Sequence, residues 1–297
     1  MTRRAATFTG FLAILLWALL ALFTVGSAPV PPLQLNAICF AIGGAIGLIW
    51  CAARPGGFAR MVSAGWRVTA FGAIGLFGYH FLYFSALRLA PPAQAGLIAY
   101  LWPLLIVLFS GLLPGERLRA GHVIGALVGF AGAALIISGG GTGLAWEALP
   151  GYALALLCAL TWSGYSVLSR RLGHAPSETV TLYCLATALL STLAHLALEQ
   201  TVWPQGTVGW ASTVALGLGP VGMAFYVWDI GVKRGDIQLL GTASYAAPLL
   251  STLALVGAGV AAPSASLFIA AALITIGAGL AAWASKAKSP QSVPPKT

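Results

Sequence analysis

Runs of about twenty apolar residues recur along this chain, and the breaks between them are too short to hold a folded unit. A helix needs roughly 20 such residues to cross the hydrocarbon of a bilayer. Ten stretches meet that length, near 7–27, 31–53, 68–88, 91–113, 118–138, 151–169, 176–198, 208–231, 237–258 and 265–285. The longest breaks are 54–67, 139–150 and the tail 286–297. Charged residues make up 7% of the 297 positions, against roughly 25% in an ordinary soluble domain. A surface so poor in charge excludes a water-soluble enzyme or nucleic-acid binder, and the apolar content excludes a disordered chain. The expected fold is an all-α integral membrane protein of ten transmembrane helices, with its chemistry inside the membrane or at its two faces.

The positions of the charges turn the ten runs into a topology. Basic residues resist translocation, so they collect in cytoplasmic loops. With the N-terminus placed inside, Arg3, Arg4, Arg54, Arg60, Arg67, Arg117, Arg119, Arg170, Arg171, Lys233, Arg234, Lys286, Lys288 and Lys296 fall on the cytoplasmic side and Arg88 alone falls outside. A missed or additional span would spoil this partition, so it predicts ten spans with both termini cytoplasmic. It also accounts for the formal net charge of +9 without a nucleic-acid partner. Arg3, Arg4 and the following run resemble a signal peptide ending near "GSA" at 26–28, but the run is long and the repeat described next requires it. We therefore read it as a retained first span. The four cysteines, Cys39, Cys51, Cys158 and Cys184, sit in apolar stretches without a paired spacing and read as small buried hydrophobes.

The chain repeats itself at an offset of 145 residues. Trp17 falls on Trp162, Cys39 on Cys184, Gly72 on Gly217, Gly96 on Gly241 and Gly132 on Gly277. "YLWPLL" at 100–105 falls on "YAAPLL" at 245–250, which pairs Tyr100 with Tyr245 and Pro103 with Pro248. Five helices per half is an odd number, so the second half enters the membrane from the opposite face. Inverted repeats of this kind are a common construction of secondary transporters, whose two halves exchange conformations around a central site. The expected organisation is a first repeat over 1–138, a periplasmic linker over 139–150, a second repeat over 151–285 and a disordered basic tail over 286–297.

The segments "YFSALRLAPPAQAGLIAYLWPLLIVLFSGLLPGERL" at 83–118, "GALVGFAGAALI" at 125–136 and "TWSGYSVLSRRL" at 161–172 resemble the EamA-type repeat of the drug/metabolite transporter superfamily. Within it, "YHFLYFSALRLAPP" at 79–92 and "YLWP" at 100–103 are similar to the aromatic amino acid exporters of the YddG type. The resemblance implies a bacterial inner-membrane exporter with a cavity lined by helices 1, 3, 4, 6, 8 and 9. One departure is that "GERL" after the fourth helix has no counterpart after the ninth, where "AAPS" stands at 261–264.

Aromatic residues of membrane proteins usually form belts at the interfaces. Here Trp17, Tyr79, Tyr83, Tyr100, Trp102 and Trp162 lie well inside their spans, as a cavity for an aromatic solute requires. Tyr79 and Tyr83 share a helix face. His80 is the one histidine near mid-span, and it suits hydrogen bonding to a substrate carboxylate or amine, or proton carriage. Ser166 shares a face with Trp162, and Ser244 and Tyr245 complete the substrate-binding candidates. Pro103 and Pro248 are expected hinges, because proline bends a helix and frees a carbonyl. Asp229 and Lys233, four apart, read as a structural pair. Glycines 121, 125 and 129, and 43 and 47, read as close helix contacts. "GGGTG" at 139–143 lacks the lysine of a phosphate loop and reads as an exposed turn.

These readings give a secondary transporter that exports aromatic amino acids (Phe, Tyr, Trp) or related small metabolites by alternating access. The substrate and the lipid bilayer are its expected partners, in a monomer or homodimer, with no metal, cofactor or nucleic acid. The alternatives are an exporter of other specificity in the same superfamily, or an intramembrane enzyme. The enzyme reading is the poorer one: Ser163 lacks a protease context, Asp236 lies in a loop, and no acidic cluster stands in a span. The scarcity of intramembrane carboxylates points to facilitated export, with proton exchange as its rival.

Overall fold

A computed structural model describes residues 1–138, 146–259 and 265–286. The readings made on 139–145, 261–264 and the tail beyond 286 lie outside the described residues. Among those described, ten apolar helical segments follow one another, besides a short helix at Gly57–Ser63: α1 (Arg3–Gly26), α2 (Pro32–Ala52), α3 (Gly65–Leu89), α4 (Gln94–Ser110), α5 (Ala120–Ile137), α6 (Trp146–Arg171), α7 (Ser177–Leu198), α8 (Gly206–Arg234), α9 (Ile237–Gly257) and α10 (Ala265–Lys286). Nine are long and apolar enough to cross a membrane, and α4 is the shorter exception. Local chemistry sets several of the starts. Thr2 caps α1 by accepting from the Ala5 amide, Pro32 opens α2 where its missing N–H is no loss, and Asp236 caps α9 through the Leu239 amide.

Three interruptions shape the bundle. In α4 the helix breaks at Tyr100 and Leu101, just before Trp102 and Pro103. In α9 it breaks at Ser244 and Tyr245, just before Pro248. Each proline withholds the amide that would bond the carbonyl four residues back, so the ladder opens there. In α8, Gly219–Met223 forms a π-helical turn around Pro220 for the same reason.

The offset of 145 is visible as contact. α5 packs along α10 at glycines: a Cβ on Gly125 would stand 2.5 Å from the Gly277 carbonyl oxygen, and one on Gly277 2.5 Å from that of Gly125. The offset carries this pair onto Ala270 and Gly132, and a Cβ on Gly132 would stand 3.0 Å from the Ala270 oxygen. In the same way α2 packs along α7. Residues related by the offset also touch each other. Trp17 lies 5.9 Å from Trp162, His80 lies 6.0 Å from Phe225, and Tyr100 lies 6.1 Å from Tyr245, between ring centroids. Related residues meet only near an axis that exchanges the halves, so these three pairs mark it.

The ends of the bundle carry separate ion networks. At one end Glu116 joins Arg3 (3.2 Å) and Arg170, and Arg170 also donates to the carbonyls of Val232 and Gly235. Arg3 lies 3.6 Å from Asp236 as well. α1 begins at this end and α6 finishes there, so the first helices of the two halves run in opposite directions. Glu178, beside Arg54 and Arg60, and the Asp229–Lys233 pair belong to the same end. At the other end Glu199 accepts from Arg88 (2.8 Å) and from the Leu33 and Gln34 amides that open α2, with His195 3.0 Å away. The lone outer arginine of the sequence reading is thus paired far from the basic cluster.

Candidate functional site

The middle of the bundle is built from aromatic rings. Four indoles touch one another: Trp17 of α1, Trp102 of α4, Trp162 of α6 and Trp228 of α8, with centroids 5.1 to 6.3 Å apart in all six pairings. Most of these contacts are edge-to-face or tilted, the arrangement the ring quadrupole favours. Trp102, Trp162 and Trp228 are buried, and the Trp228 Nε1–H donates to Ser166 Oγ at 3.1 Å. Ser166, singled out beside Trp162, therefore holds an indole in place.

A second group rises from the indoles along α3, on the side away from Glu116. Tyr79 stands 5.3 Å from Trp162, and its ring is stacked parallel to Tyr83 at 6.2 Å. Beside them the His80 ring is edged by Phe40 (5.1 Å), Tyr79 (5.1 Å), Phe225 (6.0 Å) and Phe84 (6.2 Å). Tyr79, His80, Tyr83 and Tyr100 are half-buried, as is Trp17, in contrast to the buried Trp102, Trp162 and Trp228. His80 Nδ1 lies 2.7 Å from the carbonyl of Leu76, one turn back on its own helix.

Tyr100, Ser244 and Tyr245 sit at the helix breaks. Pro248 cannot bond the Ser244 carbonyl, and the Tyr100 hydroxyl of the other half donates to it at 3.3 Å. The Leu104 amide, just past the break in α4, donates to the Tyr245 hydroxyl at 3.0 Å. Each half's tyrosine thereby satisfies a backbone group opened in the other. Tyr245 is fully buried against Gly129 and Phe130, and Ser244 Oγ turns back to the Leu240 carbonyl. The structure thus gathers Trp17, Tyr79, His80, Tyr83, Trp102 and Trp162 in the aromatic cluster, and sets Tyr100 between it and the breaks, 5.9 Å from Trp102.

Four members of the cluster escaped the sequence reading: Phe40, Phe84, Phe225 and Trp228. In α8, Tyr226 and the Asp229 of the expected structural pair face elsewhere. Tyr226 donates to the Gly43 carbonyl, and Asp229 is held by Lys233 (2.9 Å) and Ser177 (2.7 Å). The offset was the available signal, since His80 plus 145 is Phe225 and Tyr83 plus 145 is Trp228. Phe40 and Phe84 had no such mark. Among the described residues no three His, Cys, Asp or Glu side chains gather as metal ligands would. Chemically, the site offers ring faces and edges, one imidazole and phenolic hydroxyls, and no charged side chain among the rings named.

Comparison with known proteins places these features. The model of the EamA-like transporter family matches residues 4–138 and again residues 149–283. The chain is 58% identical over 283 residues to the Aromatic amino acid exporter YddG of Ancylobacter novellus, covering 95% of this chain and 98% of that one. It is 26% identical over 300 residues to the protein of the same name from Escherichia coli strain K12, covering 95% and 98% respectively. One solved crystal structure superposes with a TM-score of 0.92 at 56% identity, over 97% of this chain and 100% of the other.

Proposed function

This chain belongs to the EamA-like transporter family, and from that footing we propose that it exports aromatic amino acids across the bacterial inner membrane by alternating access. The observation that carries this reading is the aromatic cluster on the axis between the halves, where Trp17 meets Trp162 and His80 meets Phe225. A site on that axis belongs equally to both halves, so an exchange of their conformations opens it to each side in turn. An aromatic side chain entering the cluster gains ring contacts of about 0.5–1.5 kcal/mol per pair beyond area burial.

The ten segments are taken as ten spans, with the broken α4 the tenth, in two repeats over 1–138 and 151–285 joined by a periplasmic linker. The network around Glu116 is the cytoplasmic end, because it carries the basic residues, and both termini lie there. Trp102, Trp162 and Trp228 are buried while Tyr79, His80 and Tyr83, farther from the Glu116 network, are half-buried, so the conformation is read as closed to the cytoplasm. The proposed substrate-contacting residues are Trp17, Tyr79, His80, Tyr83, Trp102, Trp162, Phe225 and Trp228, with Pro103 and Pro248 as hinges.

The test is flux of labelled phenylalanine and tryptophan from proteoliposomes holding the full chain, with and without a pH gradient. Saturable flux of both, competed by tyrosine and not by alanine, is expected. No movement of either while alanine crosses would overturn the substrate assignment. A rate indifferent to the gradient would support facilitated export over proton exchange.

A further inference from the structure

We propose that His80 is the residue that reads the substrate's amino group, accepting a hydrogen bond from it at Nε2; the inference rests on the aromatic-site reading above. Sequence alone leaves open whether His80 meets an amine or a carboxylate. The tertiary structure narrows the choice through the other ring nitrogen. Nδ1 lies 2.7 Å from the Leu76 carbonyl oxygen. A carbonyl only accepts, so Nδ1 must carry the hydrogen. In the neutral ring the remaining nitrogen, Nε2, is then an acceptor and cannot donate. Nε2 makes no hydrogen bond to the protein among the described residues, and the ring is half-buried, edged by Phe40, Tyr79, Phe84 and Phe225.

A free amino acid offers two charged ends of opposite hydrogen-bonding character. Its ammonium only donates and its carboxylate only accepts, so a lone acceptor at Nε2 attracts the first and rejects the second. The chain's acidic side chains do not compete for this role. Glu116, Glu178, Asp229 and Asp236 are engaged at one end of the bundle and Glu199 at the other, and Glu147 is exposed in the first turn of α6. The repeat adds an independent reason. The offset mate of His80 is Phe225, in contact with it, so the axis carries an acceptor on one side and a hydrocarbon ring on the other. That asymmetry gives a pseudo-symmetric site one polar end and fixes which way an amphipathic solute lies.

The experiment reads binding in the purified full-length protein through quenching of its tryptophan fluorescence, using two halves of the substrate's chemistry. 2-Phenylethylamine keeps the ammonium and lacks the carboxylate; 3-phenylpropionate is the reverse. The wild type is expected to bind the amine at least about tenfold more tightly, as a hydrogen bond to a charged group warrants. His80→Phe, which copies the mate's ring, is expected to bring the two affinities to within about twofold. His80→Gln, whose Oε1 restores an acceptor near Nε2, is expected to restore the preference. Should the Phe variant fail to fold, His80→Met supplies a side chain of similar size without a nitrogen acceptor. A wild type that favours phenylpropionate or binds neither probe, a preference that survives in the Phe or Met variant, or its loss in the Gln variant would overturn the assignment. Because the readout is binding, an absence of phenylalanine flux would sink the export reading separately.

Discussion

At the level of single residues the site is a set of rings whose positions are held by a few hydrogen bonds. The bond from Trp228 Nε1 to Ser166 Oγ is buried at both ends, and the two groups differ in what they can do without it. A released hydroxyl can turn to the carbonyl four residues back on its own helix. A released indole N–H has no such recourse and keeps the full desolvation cost. Ser166→Ala is therefore expected to destabilise by about 1–3 kcal/mol, and Trp228→Phe to lose only the net bond of about 1 kcal/mol together with some packing. Thermal unfolding of both variants in detergent checks the order, and a neutral Ser166→Ala would refute it. In transport, Trp102→Ala is expected to lower flux in a folded protein; a wild-type rate would remove that ring from the site.

At the level of elements the two broken helices depend on each other. The Tyr245 hydroxyl is the partner of the Leu104 amide, whereas the Ser244 carbonyl keeps the Ala247 amide at 3.1 Å even without Tyr100. Tyr245→Phe should then cost about 1–3 kcal/mol and Tyr100→Phe less, because only the former strands a buried donor. Equal midpoints for the two variants on heating would contradict the cross-linked geometry. The prolines were legible in the sequence, since each removes a defined hydrogen bond. The partners of the freed groups were not legible, because they lie 141 and 144 residues away and come from the other half.

On the scale of the whole molecule, the halves are locked at one end by Glu116, which holds Arg3 from the start of α1 and Arg170 from the end of α6. Neutralising it removes the charge that pairs with both arginines and leaves one acceptor oxygen where there were two. Glu116→Gln is expected to let that end open, seen as a longer and broader distance between spin labels at positions 4 and 171. Superimposable distributions for the two proteins would show that the network does not close this end. Where Gly125 of α5 meets Gly277 of α10 no side chain fits between the backbones. Gly125→Ala and Gly277→Ala should each separate the helices and lower the unfolding temperature, and unchanged stability in either would refute so close an approach.

What the sequence determined by itself follows from terms that act locally or sum along the chain. Apolar run length and a fixed offset gave the apolar helices and the duplication, and the count of basic residues at each break gave an expected alternation across the membrane. They needed no knowledge of which helix touches which. Aromatic position well inside the spans marked Trp17, Tyr79, Tyr83, Trp102 and Trp162 as candidates for one cavity, with His80 the one histidine near mid-span, and the offset paired Trp17 with Trp162. Only the tertiary structure decided the rest. Phe40 joined the cluster through packing between helices far apart in sequence. Tyr100 and Tyr245 were turned to the helix breaks by backbone groups that had lost their own partners. His80 acquired a direction because a carbonyl one turn away took one ring nitrogen and left the other. Each of these outcomes depends on which polar groups remain unsatisfied once the helices have met, and one-dimensional patterns do not carry that information.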